Sequence, residues 1–177
     1  MTGSQEEKKV SVKRRDFLGS TMAAALSLSA YRAFATDGNT GGWLTLSMVD
    51  LVKGIKTGDI DPIDYVEMLL ERSSRLSGLN AFITQNEDLL KGEAKALSRR
   101  LQRSMELGPL AGAALVFKDN IDVQNHATTA GTPALQNWMP RIDAPVAAAV
   151  RSAGALVAGK TNMHELAVGV TSNNVHT

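Results

Sequence analysis

A lysine at the end of an apolar run is the residue of this sequence best placed to do chemistry. The run Ala113–Phe117 lies between Gly and Pro upstream and Asp and Asn downstream, which is typical of a short buried strand. Lys118 follows it directly, and burial lowers the pKa of a lysine because it desolvates the charged form. A neutral amine near pH 7 can act as a general base. The alternative is a lysine that reaches the surface or pairs with Asp119 or Asp122.

A second lysine lies in a segment that resembles a phosphate-binding loop. Gly154–Thr161 fits the pattern G-x-x-x-x-G-K-[ST] letter for letter. That pattern binds phosphate when it joins a strand to a helix and turns its backbone N–H groups inward. Here a helical pattern precedes Gly154, and the residues between the two glycines are apolar and strand-like. We therefore interpret Lys160 as a second lysine at the end of a buried strand. Nucleotide binding is the alternative, and the sequence context disfavours it.

Other catalytic and metal-binding patterns in the sequence are incomplete. His164-Glu165 begins like the zinc motif H-E-x-x-H, but the second histidine is missing. The remaining histidines, His126 and His176, have no carboxylate or cysteine at ligand spacing, and the sequence contains no cysteine. It also contains no G-x-S-x-G elbow. The sequence thus predicts no metal, no other cofactor, no thiol nucleophile and no hydrolase of the Ser-His-Asp type.

The elements that must position these lysines alternate between helix and strand. Apolar periodicity and end signals predict helices over 45–57, from Asp61-Pro62 to about Ser77, from Asn86 to Gly108-Pro109, over 143–153, and a short one from Met163. Strands are predicted over 81–84, 113–117 and 155–158. This alternation indicates the α/β class, with buried and largely parallel strands.

Composition sets the class of protein and excludes one class of partner. The 177 residues carry a formal net charge of +1, with 44% apolar and 21% charged residues, which is typical of a globular domain or part of one. No basic stripe is interleaved with aromatic residues, so nucleic acid is not an expected partner.

The N-terminus has the parts of an export signal. Arg14-Arg15 precede Phe17-Leu18, a mildly apolar stretch follows over 20–30, and Ala33-Phe34-Ala35 matches the small-x-small cleavage pattern. Paired arginines are the address of the bacterial twin-arginine pathway. We therefore expect residues 1–35 to be removed after export to the periplasm, with the translocation machinery as a transient partner. The stretch is too short for a stable membrane anchor; a disordered basic tail followed by a core helix is the alternative.

Six fragments in register over about sixty residues resemble the amidase signature family. They are Gly108-Pro109-Leu110-x-Gly112, Phe117-Lys118-Asp119-Asn120, Thr128-Thr129-x-Gly131, Asp143-Ala144-Pro145-Val146, Arg151-x-Ala153-Gly154-Ala155 and Gly159-Lys160-Thr161-Asn162-x-x-Glu165. The helices over 45–107 are also similar to that family's N-terminal helical region. The resemblance implies that residues 36–177 form the N-terminal helices and first strands of an α/β/α fold layered around a mixed sheet.

The resemblance also implies a reaction and its residues. In the family a Ser–cisSer–Lys triad hydrolyses carboxylic amides through an acyl-enzyme, and Lys118 matches the lysine that accepts the proton. Lys160 matches a second lysine that supports the site. The remaining candidates, on the supporting or substrate side, are Asp119, Asn120, Asn162, Thr171 and Ser172.

The finer placement rests on Thr171–Asn174, which is most similar to members that hydrolyse arylacetamides. The alternatives are peptide amidases and the transamidosome amidotransferase, and a small-molecule amide is the expected substrate. Both catalytic serines of the family belong to a Gly-Gly-Ser-Ser-Gly-Gly region, which this sequence does not contain. We therefore expect the N-terminal portion of such an enzyme, ending before the nucleophile and inactive alone.

Overall fold

Four α-helices and a three-stranded sheet form the regular structure of residues 40–171 and 173–177, the ranges that this computed structural model describes. The predicted export signal and Ser172 lie outside these ranges. The helices are α1 (Met48–Thr57), α2 (Pro62–Arg75), α3 (Glu87–Gln102) and α4 (Pro145–Ser152). The strands are β1 (Phe82–Thr84), β2 (Ala114–Lys118) and β3 (Leu156–Thr161). Short 3-10 helices span Thr40–Thr45, Ser77–Leu79, Pro133–Leu135 and Glu165–Ala167.

Two helices begin where their capping residues predict. The Asp61 carboxylate accepts a hydrogen bond from the backbone N–H of Ile63 at 2.7 Å, and Pro62 occupies the first turn of α2. The Asn86 side chain accepts from the backbone N–H of Leu89 at 3.1 Å and starts α3. Each cap satisfies a donor that the helix itself leaves free, so local sequence alone fixes these two starts.

Two predicted helix boundaries are wrong. The first helix starts at Met48 rather than Thr45, because residues up to Thr45 form a 3-10 helix and Ser47 is the cap. The third ends at Gln102, not at Gly108-Pro109. Ser104 adopts a left-handed φ of 52°, and the backbone N–H of Met105 donates to the Arg100 carbonyl at 3.0 Å, which is the 6→1 bond of a Schellman ending.

The short helix predicted from Met163 is replaced by the 3-10 turn Glu165–Ala167. Leu166 and Ala167 both have positive φ values, 51° and 59°, and an α-helix cannot continue through such residues. No side-chain cap supports the start of this turn, since the preceding His164 forms no capping hydrogen bond.

The sheet is mixed and has the order β1-β3-β2. Strands β2 and β3 are parallel, whereas β1 pairs with β3 in the antiparallel sense. The β2–β3 register shifts by one residue between Leu115 and Val116, which pair with Val157 and Gly159. A Cβ on Gly159 would lie 2.8 Å from the Phe82 ring, so glycine is required where the bulge brings β1 close.

Helices cover both faces of this sheet. On one face, α2 and α3 pack on Leu156 and Ala158 of β3. On the other face, Val157 of β3 contacts Phe117 and the α4 residue Ala147. Because side chains alternate along a strand, these two clusters lie on opposite sides. The predicted α/β/α layering is therefore present.

A half-buried ion-pair network connects α3, α4 and β3. Arg151 contacts Asp143 at 3.1 Å and Glu93 at 3.3 Å. The second carboxylate oxygen of Glu93 accepts the backbone N–H of Val157 at 2.9 Å. The network fixes the start of β3 relative to the two helices that flank it.

Within residues 40–171 and 173–177, no helix has the length and apolar character needed to cross a membrane.

Candidate active site

The candidate residues of the sequence gather where two parallel strands end. Lys118 is the last residue of β2, and Asp119 and Asn120 follow it. In the neighbouring β3, Lys160 pairs with Phe117, and Lys118 pairs with Thr161. In open α/β sheets, ligands bind at the carboxyl ends of strands. This end of the sheet is therefore the candidate site.

Lys118 is exposed, so its predicted burial is wrong. Along β2 the side chains alternate: Phe117 is buried towards α4, while Val116, 49% exposed, and Lys118 project to the opposite face. Strand β2 lies at the edge of the described sheet, where that face has little cover. The Lys118 side chain forms no hydrogen bond or ion pair with the residues described.

Lys160 is the buried lysine of the pair, as its strand-end position predicts. Its side chain and that of Asp119 are both fully buried, and Nζ lies 3.1 Å from Oδ1 of Asp119. Burial lowers the pKa of Lys160 from its usual 10.5, and the hydrogen bond and charge of Asp119 oppose that shift. Together the two side chains form an ion pair of zero net charge beside the central strand.

The remaining donors of the Lys160 ammonium group are also used. Nζ donates to Oγ1 of Thr128 at 2.8 Å and to the backbone carbonyl of Ala127 at 3.1 Å. With Asp119, these give three partners for a group with three donors. The arrangement supports the charged form and holds the loop from Ala127 against β3.

Asp119 is held from the same loop. Its Oδ2 accepts the backbone N–H of Thr129 at 2.9 Å and also the Thr129 hydroxyl. Its Oδ1 forms the ion pair with Nζ of Lys160 at 3.1 Å. The Thr129 hydroxyl in turn accepts the backbone N–H of Gly131 at 3.1 Å. Each carboxylate oxygen of Asp119 therefore has a partner within this cluster.

The other sequence candidates lie around this cluster without joining it. Asn120 is exposed. Asn162 donates to the Asn80 carbonyl at 3.1 Å, and its Oδ1 accepts the backbone N–H of Met163 at 2.7 Å. Thr171 is exposed, and its hydroxyl accepts the backbone N–H of Asn173 at 3.4 Å. The structure thus brings together Asp119 and Lys160 and leaves the others apart.

Three contributors to this region are not among the candidate residues: Thr128, Thr129 and Asn174. The sequence presents the first two only within the family fragment Thr128-Thr129-x-Gly131, and Asn174 only as the last residue of the Thr171–Asn174 motif. One signal could have found them. A buried ion pair needs further hydrogen-bonding partners, and two adjacent threonines in a loop after the strand can supply them.

The phosphate-loop pattern has the wrong geometry for nucleotide binding. Gly159, Lys160 and Thr161 belong to β3, where backbone groups are directed to neighbouring strands and not inward to a phosphate. In the ranges described, no group of three or more His, Asp or Glu side chains is arranged to hold a metal ion.

A groove of about 500 Å³ lies beside α2 and the face of β2 that bears Val116. None of the predicted site residues lines it. It therefore does not define the chemistry at the strand ends.

Known proteins show the same combination of sequence and fold. A glutamyl-tRNA(Gln) amidotransferase chain from Alkaliphilus metalliredigens is 35% identical over 130 residues, covering 73% of this chain and 26% of that protein. The indoleacetamide hydrolase of Pseudomonas savastanoi is 36% identical over 131 residues, covering 74% and 28%. The structure of a peptide amidase from Stenotrophomonas maltophilia matches with a TM-score of 0.64 and 35% identity, over 68% of this chain and 25% of that one.

The chain spans about a quarter of the length of the curated relatives it matches. The family model Amidase matches residues 64–177, which is more than half of the chain and includes both lysines. Its α/β architecture is that of the amidase signature enzymes among its structural neighbours. The chain therefore belongs to the amidase family that its motifs resemble.

Proposed function

We propose that this chain provides the lysine base of an amide hydrolase. Lys118 would accept a proton from a serine of a Ser–cisSer–Lys triad. The nucleophilic serine then attacks the amide carbonyl, and the proton taken up by Lys118 passes back to the leaving nitrogen, so that ammonia or an amine departs. Water then hydrolyses the acyl-enzyme to the acid. The observation that carries the proposal is the position of Lys118: it ends a parallel strand inside the family-matched region and presents a free side chain at the carboxyl edge.

We further propose arylacetamides as the substrate class. The support is the Thr171–Asn174 motif together with the likeness to an indoleacetamide hydrolase. Two other likenesses give the competing substrates. The likeness to a peptide amidase supports a peptide amide, and the likeness to a glutamyl-tRNA(Gln) amidotransferase supports a glutaminyl amide. A comparison of ammonia release from the three kinds of amide separates these specificities.

The experiment is a hybrid enzyme, because the chain contains no Gly-Gly-Ser-Ser-Gly-Gly region. The aligned segment of the Pseudomonas savastanoi indoleacetamide hydrolase is replaced by the matching 131 residues of this chain. We expect the hybrid to release ammonia from indoleacetamide, because the transplanted segment carries Lys118 and its supporting loop. Release is measured by a coupled ammonia assay.

The matched control is the 177-residue chain by itself, for which we expect no ammonia above the enzyme-free rate. A hybrid that is folded by circular dichroism but inactive on every amide offered would contradict the proposed role. Amide hydrolysis by the 177-residue chain would instead contradict the requirement for the two serines.

We also propose export by the twin-arginine pathway, supported by Arg14-Arg15 and the Ala33-Phe34-Ala35 cleavage pattern. Residues 1–39 fused to green fluorescent protein are expected to direct it to the periplasm of a bacterial host. The double variant Arg14→Lys/Arg15→Lys keeps the charge and should leave the fusion in the cytoplasm. Equal fractions of periplasmic fluorescence for the two fusions would contradict export by the twin-arginine pathway.

A further inference from the structure

The residue after Lys118 is anchored through both its side chain and its backbone. The Asp119 carboxylate accepts two hydrogen bonds from Thr129, and its backbone carbonyl accepts the N–H of Ala130 at 3.0 Å. Lys160 contacts the same carboxylate from β3. Since Asp119 is fully buried, the backbone at Lys118 has little freedom to move relative to this loop.

The far side of the loop is bound to the segment that follows β3. The Gly131 carbonyl accepts Nδ2 of Asn174 at 2.7 Å, and the same Nδ2 donates to the Met163 carbonyl at 3.0 Å. The Ala130 carbonyl accepts the backbone N–H of Leu166 at 2.8 Å. The loop thus lies between the end of β2 and the residues Leu166 and Asn174, and it contacts both sides.

The loop has a conformation that isolated residues avoid. Ala130 and Gly131 both have left-handed φ values, 50° and 66°. For alanine this conformation is unfavourable and persists where neighbouring contacts over-determine it. A Cβ at Gly131 would lie 2.5 Å from Nδ2 of Asn174, so the glycine permits the Asn174 contact. The hydrogen bonds that Asp119 accepts from this loop, and those that Leu166 and Asn174 donate to it, are the contacts that hold this shape.

We propose that Asp119, Thr129 and Asn174 form a positioning chain that fixes the backbone of Lys118 relative to Met163 and Leu166, which follow β3. These three are positioning residues and not catalytic ones, because their polar atoms are occupied by one another, by Lys160 and by backbone groups. The consequence for catalysis rests on the proposed function. The geometric part can be tested without it.

The test is amide hydrogen exchange of the 177-residue chain, followed by mass spectrometry or NMR, with Thr129→Ala as the main variant. Exchange at residues 118–120 and 130–131 is expected to accelerate about tenfold or more, because the hydrogen bonds between strand end and loop are lost. Exchange in α2 and α3 should stay unchanged. Thr129→Ser keeps the hydroxyl and is expected to restore slow exchange.

Thr132→Ala is the matched control. Thr132 is a buried threonine of the same loop, 8% exposed, whose hydroxyl takes part in none of the contacts described above. It should leave exchange at residues 118–120 unchanged. If Thr129→Ala unfolds the chain, Asn174→Ala provides the second variant, and faster exchange at both 118–120 and 130–131 is again expected.

Unchanged exchange at 118–120 in a folded Thr129→Ala or Asn174→Ala variant would overturn the positioning chain, and so would an equal effect of Thr132→Ala. In the hybrid enzyme, Thr129→Ala should lower kcat about tenfold with little change in KM, since substrate contacts remain. An inactive parent hybrid would count against the proposed function only, because the exchange result stands independently.

Discussion

Replacing Lys160 by Met is expected to lower the free energy of unfolding by about 3–5 kcal/mol. The substitution keeps much of the side-chain volume but leaves the fully buried Asp119 carboxylate without its counter-charge. Thr128 and the Ala127 carbonyl also lose their donor. An effect of this size is a large fraction of the stability of a typical domain, about 5–15 kcal/mol. The measurement is urea unfolding of the 177-residue chain, followed by far-ultraviolet circular dichroism.

Two further variants assign the effect to the buried charge. Lys118→Met changes the neighbouring strand-end lysine, which is exposed, and should alter the free energy of unfolding by about 0.5 kcal/mol or less. Asp119→Asn combined with Lys160→Met removes both charges while the amide oxygen can still accept from Thr129. This double variant is expected to be more stable than Lys160→Met alone. Two results would contradict a role for the buried charge pair. One is an equal decrease in the free energy of unfolding for Lys118→Met and Lys160→Met, and the other is a double variant that is less stable than Lys160→Met alone.

The contrast between the two lysines also shows what a sequence pattern can and cannot predict. Both follow short apolar runs, so periodicity gives them the same expectation of burial. Lys160 is buried because β3 is the central strand, with β1 and β2 on its two sides and helices on both faces. Lys118 is exposed because β2 lies at the edge. Strand order depends on contacts between distant residues, and a local pattern does not contain it.

The helix boundaries also divide into those that the local sequence predicts and those that it does not. The starts of α2 and α3 are predictable because Asp61 and Asn86 act within their own helix turns. The end of α3 is not, since Ser104 is neither the glycine nor the asparagine that usually takes the left-handed position. By sequence alone, nearby Gly108 is the better stop. It serves another contact instead: a Cβ there would collide with the Ala153 carbonyl, so its role is close packing against the end of α4.

The supporting cluster is predictable only in part. Asp119 and Lys160 are among the sequence candidates, and the structure pairs them at 3.1 Å. Their partners Thr128 and Thr129 approach from a loop about ten residues downstream of Asp119 and about thirty upstream of Lys160. Turn residues indicate a change of direction but not the side chain that the turn will meet. That contact depends on the parallel pairing of β2 and β3 and on the path of the loop after Asp119.

In the hybrid enzyme, Lys118→Ala is expected to lower kcat for amide hydrolysis by about 10²–10⁴-fold, the usual contribution of a general base. Lys118→Arg is the informative companion, because arginine keeps the positive charge and length but is not deprotonated in proteins. If Lys118 accepts the serine proton, the arginine variant should be about as inactive as the alanine variant. If Lys118 contributes only charge, Lys118→Arg should retain most of the activity.

A measurement of the stability of each variant distinguishes a loss of catalysis from a loss of folding. Because Lys118 is exposed and forms no ion pair or hydrogen bond within the described residues, both variants should unfold at nearly the same urea concentration as the parent. Lys160→Met should lose activity together with stability, whereas the Lys118 variants should lose activity alone. Activity retained in a folded Lys118→Ala hybrid would show that another residue is the general base and that Lys118 is an ordinary surface lysine.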